Sequence, residues 1–164
     1  MIILKAENFI LRPARLSDAR NIYQYQQESE TKRNFMSVPK GIAEVKKDIL
    51  QKHKNSEKFV IEVEGEAVGE IGAHDIIKNH KAVISYWLAK KCRGKGITTK
   101  AVKILTDYLF NKYKLVRIQG NVRTFNKASA RVLEKAGYKL EGILKKNKLK
   151  NGKYLDDMIW AKTK

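Results

Sequence analysis

Cysteine is nearly absent from this sequence. Cys92 is the only one in 164 residues, so no disulfide can close within the chain. That excludes a disulfide-stapled scaffold and fits a reducing, cytoplasmic setting. The three histidines, His53, His74 and His80, are scattered. No Cys/His set has metal-ligand spacing, so no metal site is expected. Only two prolines occur, Pro13 and Pro39, and there is no linker, repeat or low-complexity tract. Residues 1–164 therefore read as one domain. No apolar run reaches membrane-spanning length. The opening "MIIL" is too short for a secretory leader, and Lys5 and Glu7 follow it. Acids are scarce too: 17 Asp and Glu stand against 35 Lys and Arg, a net charge of +18. Such an excess favours anionic partners, among them nucleotide phosphates and RNA, and repels a polyamine at long range.

What is present patterns into alternating strands and helices. Phe9–Pro13 reads as a first strand. Ser17 is placed to cap a helix running to about Glu28, with Asp18 in its first turn. Ile42, Val45, Ile49 and Leu50 repeat at helical spacing within 41–54. Phe59, Ile61 and Val63 alternate with Glu62 and Glu64, the pattern of a half-buried strand. Turns at Gly65 and at Lys78-Asn79-His80 separate two further strands, 67–75 and 82–88. Ala101, Ile104, Leu105, Tyr108 and Leu109 form one helical stripe. The segment 115–122 is a strand with Val116, Ile118, Gly120 and Val122 on one face. Asn126 caps a helix that ends at Gly137. Strands 138–149 and 154–161 close the chain around Asn151-Gly152, the strongest two-residue hairpin signal. The expectation is an α/β (α+β) chain with a mixed sheet of about seven strands and helices on both faces.

The stretch "KKCRGKGITTKA", from Lys90 to Ala101, joins the strand "AVISYWL" to the long helix. Helix N-termini present unpartnered N–H groups, and glycines let a backbone approach an anion closely. The stretch is not a P-loop, because Ala89 and Gly96 stand where Gly and Ser/Thr are required. Nor is it the dinucleotide fingerprint, whose third glycine is Thr99 here. On spacing alone three readings stand: a phosphate cradle, a basic nucleic-acid contact, or a solvated loop.

Lys91-Cys92-Arg93-Gly94-Lys95-Gly96 resembles the acetyl-CoA signature of the GNAT N-acetyltransferases, Q/R-x-x-G-x-G/A, with Lys91 where Gln or Arg is usual. "NKASARVLEKAGY" (126–138) resembles the block that follows the family's fifth strand. "FILRPARLSDA", "ISYWL" and "EGILKKNKLKNGKYLDD" resemble the RimJ/RimL branch. The likeness runs along essentially the whole chain, and it implies a mostly antiparallel sheet and acetyl-CoA as co-substrate.

The resemblance also assigns roles. The acetyl and pantetheine arm would lie on the backbone of Trp87, Leu88 and Ala89, with an N–H near Leu88 polarising the thioester. The diphosphate would rest on the amides of Arg93, Gly94, Lys95, Gly96, Ile97 and Thr98, with charge from Lys91, Arg93 or Lys95. Asn126 would bond the arm besides capping its helix, and Arg131 would reach the 3′-phosphate. Many relatives protonate the thiolate with a tyrosine seven residues after this asparagine; here that residue is Leu133, and Ser129 takes the role. Glu141 is a candidate general base beside Glu70, Asp75 and His74, although a structural role suits Glu141 better; Lys148 stands at a position that is acidic in some relatives. Without an assigned base, an α-amine (pKa about 7.7–8.0) suits the site better than a lysine side chain (about 10.4). The acceptor expected is thus a protein or peptide N-terminus, as for the ribosomal-protein acetyltransferases, with ribosome association in keeping with the charge. The alternatives are a small-molecule amine, or a basic RNA- or ribosome-binding module that uses the lysines at 139, 145, 146, 148, 150 and 153. Monomer and dimer are both compatible with the sequence.

Overall fold

The computed structural model describes residues 2–164. Leu4–Lys5 (β1) and Ile10–Arg12 (β2) pair antiparallel. Three helices follow, Ala19–Gln26 (α1), Ser29–Asn34 (α2) and Ile42–Leu50 (α3). Glu57–Val63 (β3), Glu66–Ile77 (β4) and Lys81–Leu88 (β5) form a meander. The glycine loop then leads into Ile97–Tyr113 (α4), and Arg117–Arg123 (β6) and Lys127–Lys135 (α5) follow. A hairpin of Lys139–Lys150 (β7) and Lys153–Thr163 (β8) completes the chain. The sheet order is β1-β2-β3-β4-β5-β6-β8-β7, and β5–β6 is its parallel pair. Eight strands replace the expected seven because the two-residue β1 adds an edge.

Each face of the sheet carries its own core. On one face, Ala101, Leu105 and Leu109 of α4 and Leu133 of α5 pack against Phe59, Ile61, Ile71 and Ile84. On the other, Ala19 and Ile22 of α1 and Val45 of α3 cover Val60, Ala67 and Trp87. The two cores correct the reading of β3 as half-buried: Phe59, Val60 and Ile61 are all buried, because consecutive residues serve opposite faces.

Three local expectations are also corrected. Ser17 does not cap α1. The acid beside it, Asp18, receives the N–H of Arg15 at 2.7 Å and both terminal nitrogens of buried Arg12 at 2.7 and 2.9 Å. The third helix stops at Leu50, whose side chain is exposed, rather than at residue 54. Val116 precedes β6 and lies exposed, off the face of Ile118 and Val122. Elsewhere the local chemistry acts as read. Asn126 Oδ1 accepts the Ser129 N–H at 3.1 Å, and Gly137 takes a φ of +87°. Asn151 (φ +49°) and Gly152 (φ +74°) are both left-handed, as the tight hairpin requires. Among the described residues no helix is long and apolar enough to cross a membrane.

Candidate active site

The site begins where the sheet splits. β5 and β6 pair only from Lys81–Arg117 to Ile84–Gly120. Beyond that point β5 stays on β4 as far as Leu88, and β6 stays on β8 as far as Arg123. A V opens between them. Leu133 lodges at its fork, where a Cβ on Gly120 would lie 2.9 Å from the leucine Cδ1. The Ala89 N–H is bound to Val68 of β4 at 2.8 Å. Strand alternation therefore turns the N–H and C=O of Tyr86 and Leu88 the other way, into the V. The Leu88 carbonyl is taken there by Arg93 Nε at 2.8 Å.

The glycine loop closes one end of the V. Gly94 (φ +77°) and Gly96 (φ +74°) are left-handed, and a Cβ on either would meet nothing within 4 Å. The backbone is thus bare on the side a ligand would approach. The first bond into α4 runs from Lys100 N to Gly96 O, at 3.0 Å. Ile97, Thr98 and Thr99 consequently offer free N–H groups, and no side chain caps the helix. A cavity of about 330 Å³ runs between this loop, the V, α5 and α2. Free helix-terminal donors at one end and open strand groups at the other suit a diphosphate with a long amide-bearing arm.

Most of the residues singled out from the sequence meet here. Trp87, Leu88, Arg93, Gly94, Gly96, Ile97, Thr98, Asn126, Ser129 and Arg131 all line the cavity. Ala89 lies beneath the loop, fully buried, with its carbonyl on Cys92 N at 2.9 Å. Lys95 sits exposed at the loop tip. Two of the expected charge donors are otherwise engaged. Lys91 turns out to Glu66 at 2.5 Å and lies over the Tyr25 ring, and both contacts raise its pKa. The guanidinium of Arg93 is held by Glu28 and Glu30 of the α2 region. Neither head group is free for a phosphate, which leaves the exposed backbone donors and Lys95 as the loop's open anion-binding groups. Arg131 is paired with Glu134 one turn along its helix.

Glu141 is the clear correction. It lines neither this cavity nor the one described next, and Arg117 binds its carboxylate at 2.6 and 2.9 Å. Arg117 opens β6 at the end opposite the V. Its hydrogen bonds hold the exposed Glu141 carboxyl below the usual carboxylate range, so Glu141 is an ion-pair partner on the sheet.

Two features escaped the sequence reading. The first is Tyr86, whose hydroxyl lies 2.9 Å from Ser129 Oγ. Burial pushes this phenol well above its ordinary pKa, and the Ser129 hydrogen bond offsets part of the rise. The second is a cavity of about 430 Å³ whose wall includes Asp48, Glu57, Glu70 and Asp75, with Lys54 and Lys58 the lysines among them. It shares Phe35, Tyr86 and Trp87 with the first cavity. Glu70 is only 5% exposed and accepts from Gln26 Nε2 (3.0 Å), Trp87 Nε1 (2.9 Å) and Lys58 Nζ (2.9 Å). Lys58 also reaches Asp48 at 2.6 Å. Burial lowers the lysine's pKa, but Glu70 and Asp48 more than reverse that. His53 binds Asp48 at 3.0 Å, His74 binds Asp75 at 2.9 Å, and Glu57 is taken by Lys112 and Tyr113. Glu70, His74 and Asp75, all on β4, thus share one acid-rich cavity in which each is already partnered.

Comparison with known proteins agrees with this geometry. The family model for the GNAT acetyltransferase domain matches residues 8–139. Over 96 residues the chain is 43% identical to YjcK of Bacillus subtilis (strain 168), a probable N-acetyltransferase; the match takes in 57% of this chain and 53% of that protein. Over 153 residues it is 27% identical to the spermidine N(1)-acetyltransferase of Escherichia coli (strain K12), covering 91% of this chain and 82% of that one. The crystal structure of a ribosomal-protein-S5-alanine acetyltransferase from Vibrio fischeri superimposes with a TM-score of 0.89 at 25% identity, over 99% of this chain and 97% of that one. The chain belongs to the GNAT acetyltransferases, the family that takes its acetyl group from acetyl-CoA.

Proposed function

We propose that the protein acetylates the α-amine of a protein or peptide N-terminus. One observation carries the reading: the cleft suited to acetyl-CoA and the acid-rich cavity share a wall at Phe35, Tyr86 and Trp87. A carboxylate-lined cavity gathers ammonium groups even in a chain of net charge +18. Its acids are all engaged, so none is a free strong base. An acceptor that is partly neutral on its own meets that condition, and at pH 7 roughly a tenth of α-amines are neutral against well under a thousandth of lysines.

Acetyl-CoA supplies the activated acetyl group. The amides of Gly94 to Thr98 hold the diphosphate, with Thr99 adding one further N–H. The Leu88 N–H draws charge onto the thioester oxygen, Asn126 bonds the arm with the amide group its cap leaves over, and Ser129 gives a proton to the departing sulfur.

A second reading is supported by the same four carboxylates: a small polyamine whose further charge stays in the cavity, as the spermidine-acetylating relative suggests. A CoA-release assay with a free N-terminal peptide, an N-terminally blocked lysine peptide and spermidine, at matched pH and salt, separates the two. We expect the free N-terminus to give the highest kcat/KM. Spermidine or the lysine peptide ahead by about tenfold would contradict the α-amine reading, because a strong base would then be needed.

A further inference from the structure

Ser129 does not stand alone in the cleft. The residue seven places after Asn126, where many relatives carry a tyrosine, is Leu133, buried at the fork against Gly120. No hydroxyl comes from that helix position. A phenol arrives instead from the facing strand: Tyr86 of β5 crosses the V and puts its hydroxyl 2.9 Å from Ser129 Oγ and 3.2 Å from the Ser129 carbonyl. We propose that Tyr86 is the positioning residue of a two-hydroxyl proton donor, holding Ser129 Oγ so that the serine's own proton faces the cleft. The inference rests on the acetyltransferase reading of the cleft, and it holds for any primary amine as acceptor.

The chemistry follows from hydroxyl stereochemistry. A serine hydroxyl has one proton and two lone pairs. Left alone, the Ser129 hydroxyl would donate to whichever acceptor is near, and the first carbonyls of its own helix are near. When Tyr86 donates to Oγ, one lone pair is occupied and the Ser129 proton is left to point away from the phenol. The enclosed phenol keeps its proton across the neutral range and has two acceptors in reach, Ser129 Oγ and the Ser129 carbonyl; in the proposed arrangement it donates to Oγ. Its ordered partner is also the atom that must bear transient negative charge.

In the transfer, the C–N bond forms and the C–S bond breaks. The sulfur takes the Ser129 proton while Tyr86 stabilises the oxygen left behind. The amide nitrogen releases its surplus proton to water, and Ser129 recovers one from water, so the proton count is unchanged. Neither hydroxyl is consumed, and no oxidant or metal is involved.

The test compares Tyr86→Phe, Ser129→Ala and the double variant, each with whichever of the three acceptors the wild type turns over best. That choice separates this proposal from the acceptor reading: spermidine winning would sink the latter and leave the former fully testable. We expect Tyr86→Phe and Ser129→Ala each to lower kcat by about 100-fold, with CoA affinity by calorimetry within about threefold of wild type. The double variant should be no slower than the slower single one, because both act on one proton. The normal solvent deuterium effect on kcat should change in both singles alike. A readout independent of turnover is the exchange-protected hydroxyl proton of the pair in the substrate-free protein. It should be seen by NMR in wild type and lost in Tyr86→Phe. A Tyr86→Phe enzyme within threefold of wild-type kcat, or penalties that multiply in the double variant, would overturn the proposal. Melting curves of all three variants control for folding.

Discussion

At the scale of single residues, the site depends on backbone conformations that few side chains permit. Gly94 and Gly96 combine left-handed φ with empty space where a Cβ would go. We expect Gly94→Val and Gly96→Val each to cost about 1–2 kcal/mol of stability through that φ, and to abolish acetyl-CoA binding by filling the space above the amides. Calorimetry beside a thermal melt checks both halves; near-wild-type affinity in both variants would remove the loop as the cradle. Arg12 and Asp18 give a second residue-scale prediction. Burial alone would raise the Asp18 carboxyl, but the hydrogen bonds from Arg12 and Arg15 outweigh it and leave the carboxyl below its ordinary 3.8. A carboxyl lowered on folding adds stability that is full above pH 3.8 and fades as pH falls through the folded value. Asp18→Asn should therefore cost about 3–5 kcal/mol at pH 7, since it leaves Arg12 short of a partner in the core. The gap between the variant and wild type should narrow as pH falls below 3.8 in urea melts. This acid was legible as a first-turn residue; its burial was not, because nothing local announces that Arg12, fifty residues from Glu62, sits inside.

At the scale of elements, legibility tracks how much of an element's stability is local. α4 was readable from its apolar stripe, and α5 from its Asn126 cap and the glycine at 137 that follows it. α2 was not: Ser29–Asn34 is six residues of polar chain that buries only Thr31. Tertiary contacts hold it, chiefly Arg93, whose guanidinium spans Glu28, Glu30 and Thr31 while its Nε holds the Leu88 carbonyl. The sequence reading gave Arg93 to the diphosphate, and the fold gives it to a neighbouring element. Glu30, Thr31, Asn34 and Phe35 line the cleft, so this staple shapes one of its walls. Arg93→Leu should raise amide exchange across 29–34 by about tenfold or more, the worth of charged hydrogen bonds, while leaving α4 protected. Unchanged exchange in 29–34 would show that the staple is not what orders the segment. Glu141 teaches the same lesson: its partner is Arg117 of β6, two strands away, and the acids that surround the junction came from α3, β3 and β4, which only the folded sheet brings together.

At the scale of the whole molecule, composition described the surface and missed the site. A charge of +18 argued for anionic partners and against polycations, yet the second cavity is walled by four carboxylates. The average hides it because those acids fall in one stretch, from Asp48 to Asp75, of a chain that is basic elsewhere. The two facts act at different ranges. Added salt screens the repulsion of a cationic acceptor over distances beyond a Debye length, about 8–10 Å, more than it screens the cavity itself. Raising salt from low to about 0.5 M should therefore improve kcat/KM for spermidine relative to a neutral peptide with a free N-terminus. For the peptide, kcat/KM should climb between about pH 6 and 8.5 as its own α-amine deprotonates. Stopped assays over a pH and salt grid check both trends.

In the proposed enzyme the two cavities, which share Phe35, Tyr86 and Trp87, are halves of one active site. A conjugate joining CoA, through an acetyl bridge, to the α-nitrogen of a short peptide would occupy both halves at once. Joining the two makes the second contact intramolecular, at an effective concentration in the millimolar range or above. Calorimetry should find the conjugate binding at least about tenfold more tightly than CoA, with the advantage lost when the same bridge is attached to a peptide blocked by proline directly at the junction. A conjugate that binds no better than CoA would contradict the account, because the acid-rich cavity would then have no part in holding the acceptor.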